Sequence, residues 1–407
     1  LMLYNLLMGS DFEYFDICII GGSIAGNYLC YLLANTNLKI SVIEEHQQIG
    51  LPFQCAGIVS QKLVIITQIP KEIILNRVKV AKIISPSGKY IKLSGDEHPF
   101  IIDRVALDNY FYDKVKKNPK VVYFLGEKFK TFKYINKSSK KFVIIETSKR
   151  IIKAKMLIGC DGPLSLVGKH LNIKNEILHA KQVRVKGNFD ENEAVLYFHQ
   201  KWKEFFGWIV PEGNKVYRVG LATSPPIKRK FSYFLKEIGV NLEQKIDQQG
   251  GIIPLGLMNK IAFNNILLLG DAAGQVKATT GGGIIMLLTA AKLASNCIKM
   301  CFKENDFSKR FIKKQYEKPC QFSIGKELKT HYLIRLILER FSNKDFETFF
   351  KVVKTHHIEN LISVYGDMDF PTTMLIQIIK NPTVLKFLFQ FVIKNPFILF
   401  KALRLLK

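Results

Sequence analysis

A chain of 407 residues exceeds what one small core organises, so two or three domains are expected. An apolar share of 48% with 12% aromatics excludes a disordered polymer. The formal charge of +26 calls for an anionic partner or a plain solvated basic surface. A nucleic acid is set aside because no finger, base-reading basic helix or recognition fold is present, which leaves an anionic membrane surface.

The chain opens on Leu1, with Met2 and Met8 as nearer starts, and no signal peptide is expected before the first strand. Residues 17–38 are uncharged, but their glycines and asparagines suit a strand, a turn and a helix better than a membrane span. No transmembrane helix is expected. Residues 15–20 predict a buried parallel strand, 24–35 a helix and 39–44 a second strand, a β-α-β unit. Between strand and helix lies Gly21-Gly22-Ser23-Ile24-Ala25-Gly26, a dinucleotide fingerprint with Ser23 at the middle glycine. Gly21 makes the tight turn, Gly26 admits close helix–strand packing, and the helix N-terminus receives a pyrophosphate. Glu44 ends the second strand, where a carboxylate takes both ribose hydroxyls and disfavours a 2′-phosphate. NAD or FAD remains.

Further along, FIIDRVALDNYF (100–111) puts Arg104 at the start of a helix, and LIGCDGPLSLVGK (157–169) delivers Asp161 from an apolar strand. LLLGDAAGQVKATTGGGIIMLL (267–288) delivers Asp271 and then Gly281, Gly282 and Gly283 before a second apolar run. Asp271 either caps the following turn or holds a ligand hydroxyl. A nicotinamide enzyme has no use for two further strand-end Asp-Gly elements. An extended FAD does: its ribityl chain needs a carboxylate and its isoalloxazine a helix N-terminus. On this reading each removed glycine side chain exposes a backbone N–H. The seven cysteines (18, 30, 55, 160, 297, 301 and 320) include no C-x-x-C pair and read as reduced thiols of a cytoplasm. Cys297 and Cys301 lie four apart on a helix as buried thiols, and no metal site is expected.

The segments GGSIAG, VIEE, LPFQCAGIVS, IDRVALD, GCDGPLSLVGK, FFGWIVP and GDAAGQVKATTGGGI, in this order, resemble the geranylgeranyl reductases. These belong to the wider group of flavoproteins built like p-hydroxybenzoate hydroxylase. The resemblance runs from about residue 14 to about residue 300. It implies an FAD-dependent reduction of isoprenoid double bonds, as archaeal members perform on membrane ether lipids. It assigns Gly21, Gly26 and Glu44 to the adenosine end of FAD, and Cys55, Ala56 and Gly57 to a loop beside the flavin. Arg104 would face the pyrophosphate and ribityl region, Asp271, Gly283 and Ile284 the ribityl and isoalloxazine, and Phe129, on the strand after the Arg104 helix, the adenine. Phe206, Trp208 and Pro211 would line a lipid pocket, though Trp208 suits the core of a sheet equally well. Many relatives carry Pro where Ala278 stands and Gly where Ser23 stands.

The expected fold is α/β: a Rossmann-like FAD-binding domain (12–60, 100–175 and 260–302), an inserted, mostly antiparallel β substrate domain (61–99 and 176–259) and a helical C-terminal region (303–407). Alternating runs such as NEAVLYFHQ and KVYRVGLAT build the inserted sheet, and TSPPIKRK (223–230) reads as a basic surface loop. An unactivated trisubstituted alkene needs a hydride at one carbon and a proton at the other, in a dry, apolar site. Cys55 is a candidate proton donor; a small side chain in a tight loop is the plainer reading. The electron donor (ferredoxin, NAD(P)H or a quinol) stays open, and a monomer is expected. An FAD-dependent monooxygenase, an aromatic or lipid hydroxylase, is the rival; a lipid-binding flavoprotein without catalysis is a third reading. Lys380, Lys386, Lys394, Lys401, Arg404 and Lys407 punctuate an acid-free, Phe- and Leu-rich tail broken by Pro382 and Pro396. It reads either as a membrane-surface segment of a cytoplasmic protein or as a packed helical cap.

Overall fold

The computed structural model describes residues 12–135, 142–255, 257 and 260–406. The candidate start residues Met2 and Met8, and Lys407, lie outside them.

Two sheets organise the chain. The first has eight strands, and its central part runs in the order Ile266–Leu268, Ile151–Gly159, Glu13–Ile20, Ile40–Glu44, Val121–Leu125. Those five are parallel, with Ile17 opposite both Met156 and Ile40. The β-branched runs of the inner strands are buried on both faces, as a parallel sheet covered by helices requires, while the edge strand Val121–Leu125 is mostly half-buried. Helix Ile24–Leu33 packs on Arg104–Val115 and on Ile284–Glu304. The strand begins at Glu13 and the helix stops at Leu33, two residues from each predicted limit. Parallel register puts every strand's carboxyl end on one edge, where ligands of open α/β sheets bind.

The second sheet has seven strands, ordered Lys245–Pro254, Ile177–Lys186, Val216–Thr223, Gly207–Gly213, Glu193–Tyr197, Val80–Ile84, Tyr90–Leu93. All neighbours are antiparallel except Glu193–Tyr197 with Val80–Ile84. Alternation splits its faces. Val219, Leu221 and Ile209 pack with Phe231 and Phe234 of helix Ile227–Glu237, while Trp208, Val210 and Ala222 face the other way. The basic segment expected as a loop is thus partly helix. Lys230 is drawn in to Thr223 Oγ1 at 2.9 Å and to the Glu204 carboxylate at 3.7 Å. A third, three-stranded sheet (Ile58–Val59, Phe100–Ile102, Ile74–Arg77) joins the two.

From Lys326 onward the chain is helical, as Lys326–Leu338, Asn343–Thr355, Ile358–Tyr365, Thr372–Ile379, Pro382–Lys394 and Pro396–Leu406. Pro382 and Pro396 each open a helix, where the missing N–H costs nothing. Among the described residues one single helix, Ile284–Glu304, is long and apolar enough to cross a membrane, and 67% of its apolar window is buried in the first sheet's core.

Candidate functional site

At the carboxyl edge of the parallel sheet the chain turns back on itself at Gly21. With φ of +105°, a Cβ there would lie 2.3 Å from the Cys160 carbonyl oxygen. Gly26 is required for a different reason. A Cβ at Gly26 would sit 2.0 Å from Gly21 O, so this glycine lets the helix press against the turn without itself lining the cavity. That corrects its expected place among the cofactor contacts. Ser23 caps the helix without a capping bond from its hydroxyl, and it lines the cavity. Asn27, unnoticed in the sequence, steadies the turn: Nδ2 donates to Gly22 O at 2.8 Å and Oδ1 accepts from Tyr123 OH at 3.0 Å.

Glu44 Oε2 accepts from Gly22 N at 2.7 Å and Oε1 from His46 N at 3.0 Å. The carboxylate lines the cavity, but it also stiffens the phosphate turn, a role the spacing alone does not reveal. Asp161 is committed as a cap: Oδ1 accepts from Ser165 Oγ at 2.5 Å and Oδ2 from Val167 N at 3.0 Å. Asp271 behaves otherwise. Like Asp161 it lines the cavity, and burial raises its carboxyl to about 6, although the Arg104 charge pulls the other way. Burial disfavours the Arg104 charge too, but Asp108 at 3.2 Å outweighs it and holds the guanidinium above its ordinary value. Arg104 Nε is buried and has no hydrogen-bond partner, a donor at the cavity wall.

The glycine triplet does not do what three deleted side chains suggest. Gly281 N donates to Lys277 O at 2.8 Å and Gly282 N to Thr280 Oγ1 at 3.4 Å, so these N–H groups are used within the loop. The glycines make room instead. Gly281 has φ of +66°, and a Cβ at Gly282 would lie 3.1 Å from Lys277 Cε. Gly283 then caps helix Ile284–Glu304, whose N-terminus opens on the cavity.

Lys277 is the unforeseen residue. Almost fully buried, it pairs with Asp369 Oδ1 at 2.6 Å and donates to Met368 O at 3.0 Å, tying the glycine loop to the C-terminal region. His331 lies beside it and is lowered to about 4 by burial and then by the Lys277 charge, so it is neutral. Its Nε2 faces Asp369 O at 3.2 Å, which only accepts; Nε2 therefore carries the proton and Nδ1 accepts from Thr279 Oγ1 at 2.5 Å. Asp367 and Asp369 are the last acids of the chain, the one sequence signal that could have drawn attention to them.

The Cys55-Ala56-Gly57 loop is held from the second sheet. Gln182 Nε2 donates to Cys55 O at 3.2 Å, and Arg218 donates to Ala56 O at 2.9 Å. Gly57 must be glycine, since a Cβ would meet the Arg218 guanidinium at 1.9 Å. Cys55 lines the cavity, and its Sγ accepts from Gly57 N at 3.2 Å. Gln182 also receives Trp208 Nε1 at 2.8 Å, and the indole, 7% exposed, lies edge-on to Phe206. Trp208 thus combines both readings: it belongs to the sheet and walls the cavity. Phe206 and Phe129 also line it. Phe129 opens the second strand after the Arg104 helix, not the first. Pro211 does not line the cavity: it lies beyond Val210, paired with Tyr217.

Gly21, Ser23, Glu44, Cys55, Arg104, Phe129, Trp208 and Asp271 border one cavity of about 1330 Å³. That exceeds the roughly 300–1,000 Å³ of a typical ligand pocket. It runs from the phosphate turn past Arg104 and Asp271 to the apolar wall of Trp208, Phe205 and Phe206, and on to the C-terminal helices. The turn, the capped helix and the partnerless Arg104 Nε suit a dinucleotide.

Fold and site define a protein with a Rossmann-like dinucleotide-binding domain. The family model for an NAD(P)-binding Rossmann-like domain matches residues 19–58. The chain is 26% identical to digeranylgeranylglycerophospholipid reductase 1 of Methanococcoides burtonii, over 90% of this chain and 91% of the relative. It is 27% identical to an uncharacterized protein of Methanocaldococcus jannaschii, covering 90% and 95%. Among solved structures it is similar to a geranylgeranyl bacteriochlorophyll reductase-like protein of Thermoplasma acidophilum. The TM-score is 0.80 at 22% identity, covering 94% of this chain and 100% of the other. A probable FAD-dependent monooxygenase of Pseudomonas aeruginosa shares the fold less fully, at TM-score 0.62 and 15% identity, covering 83% and 100%. The resemblance to the geranylgeranyl reductases therefore extends over nearly the whole chain, and the hydroxylase rival is the more distant.

Proposed function

We propose that this chain is an FAD-dependent reductase that saturates the double bonds of geranylgeranyl chains on archaeal-type ether phospholipids. The observation that carries the reading is the continuity of one cavity from a phosphate turn to an apolar, aromatic-walled chamber. Bound FAD, once reduced, supplies the hydride that an unactivated alkene requires.

The rest falls to the protein. Gly21, Ser23 and the helix N-terminus cradle the pyrophosphate, with Glu44 holding the turn and meeting the ribose. Arg104 would offer its Nε to the pyrophosphate and ribityl region, and Asp271 would accept a hydrogen bond from the ribityl chain. Trp208, Phe205 and Phe206 hold a prenyl chain and exclude water. Cys55 lines the chamber and is a thiol able to yield a proton.

The test is pre-reduced enzyme incubated without oxygen with geranylgeranyl ether lipid, followed by mass spectrometry. Products heavier by about two mass units per bond, the addition of one hydride and one proton, support the reading. Oxygenated products formed only in air overturn it in favour of a hydroxylase. A Cys55→Ser variant that keeps its flavin and its turnover removes Cys55 from the proton step.

A further inference from the structure

Nearly half of the exposed large apolar side chains among the described residues fall between Val364 and Leu403. On helix Pro382–Lys394 they form a stripe at spacing four: Leu385 (54% exposed), Phe389 (65%) and Ile393 (62%). Val384 and Phe391 of the same helix are buried, so the helix is packed and its other apolar side is left over. Phe397, Phe400 and Leu403 continue the exposed face on the next helix, and Ile376 and Ile379 on the preceding one.

Three properties say what covers this face. Lys380, Lys386 and Lys394 are exposed among the apolar residues, and no acid occurs after Asp369, so the complement is anionic. Helices Thr372–Ile379 and Pro382–Lys394 meet at 98°. At 1.5 Å per residue the longer is about 20 Å, short of a bilayer core of roughly 30 Å, so the pair suits lying in an interface. The rim of the large cavity adjoins these helices: exposed Val364 (74%) lines it, and so do Pro371 and Met374 at the start of helix Thr372–Ile379.

We propose that this face docks the chain on an anionic lipid bilayer with the cavity rim at Val364 turned toward it. A membrane-borne chain then slides from the bilayer into the cavity without crossing water. The entry route rests on the lipid-reductase reading; the docking does not.

Purified full-length protein is floated with vesicles of phosphatidylglycerol mixed with phosphatidylcholine, and with pure phosphatidylcholine, without substrate lipid. Wild type is expected with the anionic vesicles, released by salt. L385S/F389S/I393S alters only exposed positions, so it should keep its melting temperature and lose binding at least tenfold. K380Q/K386Q/K394Q should weaken binding and flatten its salt dependence. Retained binding in the apolar variant overturns the proposal, as does a wild type that floats with neither vesicle. So does a wild-type dimer that the apolar variant dissolves while vesicles bind neither form, since a second copy then covers the face. Vesicle binding is read without turnover, so a failed reductase assay with intact binding refutes only the function above.

Discussion

Gly220 is the position from which the Trp208 wall can be moved without touching the cavity. It lies opposite Trp208 in the neighbouring strand and does not line the cavity. A Cβ at Gly220 would fall 2.2 Å from Trp208 Cζ2, 2.3 Å from Cε2 and 2.7 Å from Nε1. Carbon contacts settle near 3.5 Å, so G220A must displace the indole by about 1 Å or more. That movement breaks the 2.8 Å bond from Nε1 to Gln182 Oε1. Overpacking costs about 2 kcal/mol and the broken bond about 1 kcal/mol, together about 3 kcal/mol. For a chain of 407 residues the unfolding entropy is roughly 0.8 kcal/mol/K, which places the fall in melting temperature at about 4 °C. Calorimetry reads the shift. Emission reads the indole, because Trp202 and Trp208 are the two tryptophans and a W208F control isolates the second. In the G220A/W208F double variant the two losses should not add, with a coupling of about 1 kcal/mol or more. A G220A protein melting within about 1 °C of wild type with unchanged emission refutes the packing argument.

E44A removes the acceptor that holds Gly22 N; FAD affinity should fall ten- to a hundredfold, about 1.5–3 kcal/mol for a charged hydrogen bond, in a flavin titration of the apoprotein. Full occupancy would move the adenosine site elsewhere. Asp271 is raised to about 6 in the fold, so its contribution is fully present below the unfolded value near 4 and is lost as pH rises through 6. The stability of flavin-free D271N relative to wild type should therefore increase between pH 4 and 7; a flat difference refutes the raised value. K277M takes from buried Asp369 its 2.6 Å partner and leaves only Lys62 at 3.7 Å; it should cost about 3 kcal/mol in urea unfolding, with K277M/D369L recovering much of it. If the double variant is no better than the single, the pair is not the latch between the glycine loop and the C-terminal region.

Much of the site was legible because it depends on neighbours in sequence. The turn at Gly21–Gly26, the acid at the end of the next strand and the arginine opening a helix are each set by local geometry, and each stands where its spacing put it. The alternation in KVYRVGLAT likewise decided which residues of that strand share a face. Where local pattern misled, a distant partner had intervened. The triple glycine looked like exposed N–H groups, but Lys277 and Thr280 take two of them and the space serves a lysine bound for Asp369. Pro211 shares a motif with Trp208, yet three residues along a strand reverses the face. Gln182 carried no signal, since its three bonds reach residues 127, 67 and 26 positions away. Local propensity and period act within a few residues. Only the parallel register of distant strands brings Gly21, Glu44, Asp161 and Asp271 to one edge, and only packing of the C-terminal helices closes one cavity over them.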